Sequence, residues 1–380
     1  MPVKDSPVEY SLNWVDTPDS LAAACAALSS AEVLALDTEF FRESSFFPIP
    51  ALIQLTAGTT VHLIDPQAVD VSDDFRRLLA AGPTKLLHAC SEDLEVLSMW
   101  AGVEVAPIVD TQIAESLLGN DPAIGYRRLV QERCGVDLPK DETRSNWLER
   151  PLSQTQLDYA ALDVVFLPII WRQQHEVLER LGRQAWLMEE CQALGAARNA
   201  VSSDRWYARN RQLWRLKPRQ IEAYRLLTTW REEEVRRRDM PRGWLAKDNL
   251  LYAIAEAMPK NRFELAAVDG VTPSLVKREG DSLLALVREA RQRDEAALPE
   301  ALPMPTAPPF KRRMKALKRV VQAHAEALGI APERLANRAE MEAVVCAHLK
   351  QTTLPLPSGW RGRCLAEDWR RALAEQEALA

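Results

Sequence analysis

The chain has 380 residues with 48 Lys and Arg against 54 Asp and Glu, 47% hydrophobic and 27% charged. No apolar stretch approaches the roughly 18 residues that a membrane-spanning helix needs, which excludes a helical membrane protein. Six widely spaced cysteines, with no Cys-x-x-Cys pair, give no disulfide framework and argue against a zinc site.

In chain order, an apolar run opens at residue 31 and leads into Asp37-Thr38-Glu39. IPALIQLTAG and TTVHLIDP follow, and the three segments read as antiparallel strands, the last two joined at Ala57-Gly58-Thr59. DDFRRLLAAG predicts a helix, TKLLHAC a strand, SEDLEVLSMW a helix and VEVAPIVDT another extended segment. Strands and helices thus alternate to about residue 111, as in an α/β sheet with one antiparallel side. From Gln112 to about residue 200 the pattern is helical. Ser153 with Gln156 three residues on predicts a capping box, and Pro168 is expected to break the helix it opens. Past residue 210 only helical periods recur. Pro299, Pro303, Pro305, Pro308 and Pro309 favour an extended connector before a last helical block. The expected division is 1–205, 206–295, a linker over 296–310, and 311–380.

Charge follows the same division. Lys and Arg set against Asp and Glu give −15 over residues 1–200, +5 over 201–295 and +4 over 296–380. The first part repels a polyanion unless cations intervene, whereas the rest can attract one.

Within the acidic part, Asp37 and Glu39 end an apolar strand, and a period of two puts both side chains on one face. Tyr159 and Asp163 lie four apart on one helix face, and the run VVFLPII after Asp163 turns that face inward. A carboxylate directed at an apolar interior needs a partner, and a cation shared with Asp37 and Glu39 is one. Asp93 lies early in the helix after TKLLHAC.

DTEF, HACSEDLEVL and QLDYAALDVVFL, in that order, resemble the three motifs of the DEDD exonuclease superfamily, with Tyr159 marking its DEDDy branch. The run LPKDETRSNWLERPLSQTQLDYAALDV is similar to bacterial ribonuclease D. One departure is Asn146, where that family commonly has an acid. AIAEAMPKNRFELAAVDGV resembles an HRDC domain, and LGIAPERLANRAE with GWRGR a divergent second copy. The resemblance implies a ribonuclease H-like α/β exonuclease domain, a mixed sheet with flanking helices, followed by two small all-α HRDC-type domains. It implies a 3′-to-5′ exoribonuclease that releases 5′-mononucleotides, with tRNA precursors and other structured RNAs as substrates. It also implies that Asp37, Glu39, Asp93 and Asp163 hold two divalent cations, Mg²⁺ or Mn²⁺, and that Tyr159 contacts the attacking water.

Further substrate contacts are expected from Phe40 and His88, which flank the acidic motifs, and from Lys140 and Arg144 in a polar loop before the Tyr159 helix. Basic clusters at 211–219, 236–238 and 311–319, with Trp206, Trp214, Trp230 and Trp244 nearby, suit a nucleic-acid backbone and stacked bases. Two alternatives stay open on the motifs alone: a DNA 3′-to-5′ exonuclease, since nothing in them reads a 2′-hydroxyl, and a noncatalytic binding module. The HRDC pairing and the lack of a polymerase or helicase segment favour RNA. No signal peptide is evident, so the expected setting is a cytoplasmic monomer without a membrane or an obligate protein partner.

Overall fold

Thr17 and Ser20 cap each other reciprocally to start helix α1 (Pro18–Leu28), which follows strand β1 (Ser11–Val15). The computed structural model describes residues 8–139, 145–200 and 203–378. Neither β1 nor α1 had a clear signal in the sequence. After them come β2 (Val33–Phe41), β3 (Ile49–Thr56), β4 (Thr60–Ile64), α2 (Asp73–Ala80), β5 (Thr84–Leu87), α3 (Ser91–Ala101) and β6 (Ile108–Asp110). The sheet order is β1-β4-β3-β2-β5-β6. Strands β2, β3 and β4 pair antiparallel, as expected, whereas β1, β5 and β6 add in parallel. Strand β3 is buried along most of its length, which suits a central strand covered on both faces and explains its nearly continuous apolar run.

Helices α4 (Thr111–Leu117), α5 (Tyr126–Cys134), α6 (Gln154–Val165), α7 (Leu167–Arg180) and α8 (Gln184–Ala200) complete this part. The Ser153–Gln156 capping box starts α6. The break falls at Phe166, which leaves Pro168 in the first turn of α7, where its missing N–H costs nothing.

Helices α9 (Pro218–Arg238), α10 (Arg242–Leu245), α11 (Asp248–Ala257), α12 (Arg262–Ala266) and α13 (Pro273–Gln292) gather a separate core around Ile221, Tyr224, Leu251, Leu283 and Val287. After an irregular connector, α14 (Pro308–Leu328), α15 (Pro332–Leu335), α16 (Arg338–Leu349) and α17 (Gly359–Ala378) follow. Pro308 and Pro309, read from the sequence as connector, open α14. Both helical blocks run from a long helix through a four-residue helix to a closing long one, a likeness that their sequences show only weakly.

The last block does not stand alone. Phe310, Leu317, Trp360 and Trp369 belong to one buried cluster with the sheet. Trp360 stacks on Trp186 of α8, with ring centroids 4.5 Å apart and planes 9° from parallel. Its backbone N–H and indole N–H donate to Glu189 and Glu190 at 2.6 and 2.9 Å. Gly119, at φ +93°, lies so close to the Gly329 carbonyl that a Cβ there would collide with it. The middle block touches the first near the end of β2. Asp239, at φ +46° after α9, accepts the backbone N–H groups of Phe46 and Phe47 at 2.9 and 3.0 Å. Arg236 and Arg242 lie over the Phe46 ring.

Candidate active site

The period of two on β2 does what the sequence suggests: Asp37 and Glu39 share a face, opposite Gln54 and Leu52 of β3. A register shift between Glu39 and Phe40 follows at once, a bulge where the strand leaves the site. Helix α6 crosses this face and brings Asp163 down from above. Carboxylate oxygens of Asp37, Glu39 and Asp163 lie within 4.8 Å of one another, an arrangement able to hold a metal ion. Hard cations such as Mg²⁺ prefer such oxygen ligands, so the donor set fits.

Asp93 comes from the first turn of α3. Its carboxylate accepts a 2.6 Å hydrogen bond from the hydroxyl of Thr38, the residue between the two β2 acids, and both groups are buried. Asp93 is therefore tied to β2 through Thr38, close enough to Asp37 to act on its charge, although it is not one of the three clustered carboxylates. The turn that delivers it is held by buried Asp110, whose two oxygens accept the N–H groups of Ala89 and Cys90 at 3.1 and 3.0 Å. Asp110 also caps α4. Arg42, just past the bulge, makes a bidentate pair with Glu95 on α3 at 2.7 and 2.9 Å and donates to the Phe46 carbonyl. The sequence reading overlooked Thr38, Asp110 and Arg42. Only Asp110-Thr111, ahead of a helical run, carried a cap signal.

Crowding of acids in a buried place has the expected electrostatic result. Burial first, then the charges of Asp93, Asp163 and Glu39, hold the Asp37 carboxyl well above the usual carboxylate range. Burial followed by Asp163 and Asp93 pushes Glu39 up to about 9. Burial raises Asp93 to about 6, against the opposing pull of the Thr38 hydrogen bond. A cation among these oxygens relieves the repulsion directly.

Tyr159 stands on the same face of α6 as Asp163, and both line a cavity of about 590 Å³ bordered by Tyr126, Arg127, Arg128 and Gln131. The Tyr159 ring centroid is 6.0 Å from that of Trp147, which is buried and packs as an anchor. Tyr126 donates to the Leu162 carbonyl at 3.0 Å and so ties α5 to α6. Phe40 is half-buried against the main core. His88, expected as a substrate contact, has both ring nitrogens engaged within the protein, with the Thr111 hydroxyl and the Ile124 carbonyl, each at 3.0 Å. These two contacts hold the imidazole between β5, α4 and the segment before α5. Lys140 and Arg144 lie outside the described residues.

The chain resembles known proteins along nearly its whole length. The profile of the family described as 3′-5′ exonuclease matches residues 12–179, and that of the HRDC domain matches residues 220–287. Ribonuclease D of Pseudomonas paraeruginosa is 38% identical over 370 residues, covering 97% of this chain and 96% of its own. Ribonuclease D of Escherichia coli is 35% identical over 369 residues, 95% of this chain and 98% of its own. The chain belongs to the ribonuclease D family. The crystal structure of Escherichia coli RNase D, described as an exoribonuclease involved in structured RNA processing, superimposes with a TM-score of 0.88. It is 33% identical and covers 96% of this chain and 99% of its own. The activity is accordingly that of a 3′-to-5′ exoribonuclease, which decides among the readings that the motifs had left open.

The helical blocks also qualify the basic clusters. Arg219 donates to the Ala290, Arg291 and Arg293 carbonyls, Arg237 and Arg238 pair with Glu234, and Arg313 with His348. Lys311, Arg312, Lys315, Lys318 and Arg319 remain exposed along α14, and Trp244 is 60% exposed on α10.

Proposed function

We propose that Asp37, Glu39, Asp93 and Asp163 hold two divalent cations, Mg²⁺ or Mn²⁺, at the 3′ end of an RNA strand, and that Tyr159 orients the attacking water. The observation that carries this reading is the convergence of three carboxylates from β2 and α6 within 4.8 Å. When bound, the cations supply an acidified water and positive charge for the departing 3′ oxygen. The chain's own part is placement. Strand β2 presents two ligands at once, Thr38 holds Asp93 beside them, and α6 adds Asp163 and Tyr159. A phenol with a reference pKa of about 10 is a poor base at neutral pH, so the role of Tyr159 is to hold a water by hydrogen bonding. The cavity beside it, rimmed by Arg127, Arg128 and Gln131, receives the terminal nucleotide.

Substrates are structured RNAs with a single-stranded 3′ tail, tRNA precursors above all, and the products are 5′-mononucleotides. Exposed cations on α14 and the exposed Trp244 supply backbone attraction and stacking for the upstream strand. The working unit is a cytoplasmic monomer divided at residues 205, 295 and 307, α14 opening at Pro308. Incubation of the protein and Mg²⁺ with a 5′-labelled tRNA precursor carrying a 3′ trailer tests this reading. One-nucleotide steps of shortening towards the folded body support it, and an intact trailer contradicts it.

A further inference from the structure

Gln54 is 0% exposed, and neither its carboxamide nitrogen nor its oxygen has a hydrogen-bond partner among the described residues. A buried carboxamide in that condition is costly, and native chains keep few of them without a reason. Its surroundings narrow the reason. On β3 it lies directly opposite Asp37 of β2, on the face that α6 covers, and its other cross-strand neighbour is Leu63 of β4. Two positions along the strand are Leu52 and Thr56, and the Thr56 hydroxyl is already committed to the Gly58 and Thr60 carbonyls. Of these flanking side chains only the Asp37 carboxyl, which already accepts the Thr38 N–H, has acceptor capacity left, and directly opposed strand residues have Cβ atoms about 5 Å apart, within reach of a carboxamide.

We infer that Gln54 is a positioning residue for the metal ligand Asp37, its Nε2–H donating to the carboxylate oxygen that faces away from the cation. The inference rests on the cation-binding reading above and adds a residue to it. A carboxylate that ligates a cation keeps lone pairs on its outer side, and hydrogen bonds there hold its orientation and raise affinity for the ion. The carboxamide is retained in an otherwise apolar stretch, Leu52-Ile53-Gln54-Leu55, because the cost of burying it is recovered when Asp37 takes up its ligand role.

The test uses the full chain, Gln54→Met and Gln54→Leu, with Mn²⁺ binding followed by calorimetry and thermal unfolding measured in EDTA and in Mn²⁺. Loss of an outer hydrogen bond of this kind lowers metal affinity about tenfold. Removal of the unpartnered carboxamide leaves the Tm in EDTA unchanged or raises it by about 2 °C, while the rise in Tm produced by Mn²⁺ shrinks. A merely structural glutamine gives the reverse, a lower Tm in EDTA with undiminished Mn²⁺ affinity, and that result overturns the inference. Asp37→Asn separates the two levels of the argument. If the unmodified protein binds no Mn²⁺ that Asp37→Asn abolishes, the cation reading itself fails; if it does and the Gln54 variants bind equally well, only the role of Gln54 fails.

Discussion

Replacing Glu39 by glutamine should destroy activity and, with metal removed, make the fold more stable. Glu39 keeps its proton up to about pH 9 in the folded protein, against 4.5 for an ordinary glutamic acid. Between those values the unfolded chain has lost the proton and the folded chain has not. Its folded-state pKa is the higher one, so its contribution is fully present below about pH 4.5 and is lost as the pH rises towards 9. Each pH unit in that window costs about 1.4 kcal/mol, so at pH 7 the ionisable group weakens the metal-free fold by about 3 kcal/mol. Glu39→Gln has the same shape and no proton to lose. Its removal also lessens the repulsion felt by Asp37, which acts in the same direction. Urea unfolding in EDTA at pH 4.5, 6 and 7.5, followed by far-ultraviolet circular dichroism, measures the difference. The variant should match the parent at pH 4.5 and exceed it by about 1.4 kcal/mol for each further unit. A difference that does not change with pH would refute the reasoning. Saturating Mg²⁺ should favour the parent, by about 2.7 kcal/mol at a hundred times its Kd.

Four further substitutions probe the site and its support. Tyr159→Phe should lower turnover about 10- to 100-fold without preventing cation binding, whereas Asp37→Asn should lower it at least 1000-fold, both read from single-turnover cleavage of a labelled RNA. Thr38→Val removes the hydroxyl that holds Asp93; it should cost about 1–3 kcal/mol in stability and reduce turnover, with unchanged activity contradicting the tie. Trp360→Ala should destabilise the exonuclease part as well as the last block by about 3–5 kcal/mol, since both share one core; hydrogen exchange confined to residues 308–378 would contradict that.

The parts legible from sequence are those whose signal is local. Asp37 and Glu39 follow a strand period, Tyr159 and Asp163 a helix period behind a capping box, and an observer needs only neighbouring residues to place them. Strand β1 was hidden because SLNWV has no run of alternation, and it gains its place by pairing with β4, 49 residues away. The attachment of the last block depends on Trp186 meeting Trp360, and the latch near the active site on Asp239 meeting Phe46; neither pair has any sequence neighbourhood in common. The same reason hid the partners of Asp93 and His88. Charge runs misled in a different way. Arg237, Arg238 and Arg313 look like a nucleic-acid surface in a string, but Glu234 three or four residues away occupies the first two, and the Pro309 carbonyl and the His348 ring occupy Arg313.

A carboxylate-held cation site that shortens RNA from its 3′ end gives a specific pattern in one time course. Matched 5′-labelled RNA and DNA strands with single-stranded 3′ tails are incubated with the protein in Mg²⁺, Mn²⁺ or EDTA, alongside Asp37→Asn. The predicted result is a ladder that shortens from the 3′ end, faster for RNA than for DNA, absent in EDTA and absent with the variant. Shortening that persists in EDTA or in Asp37→Asn would contradict it.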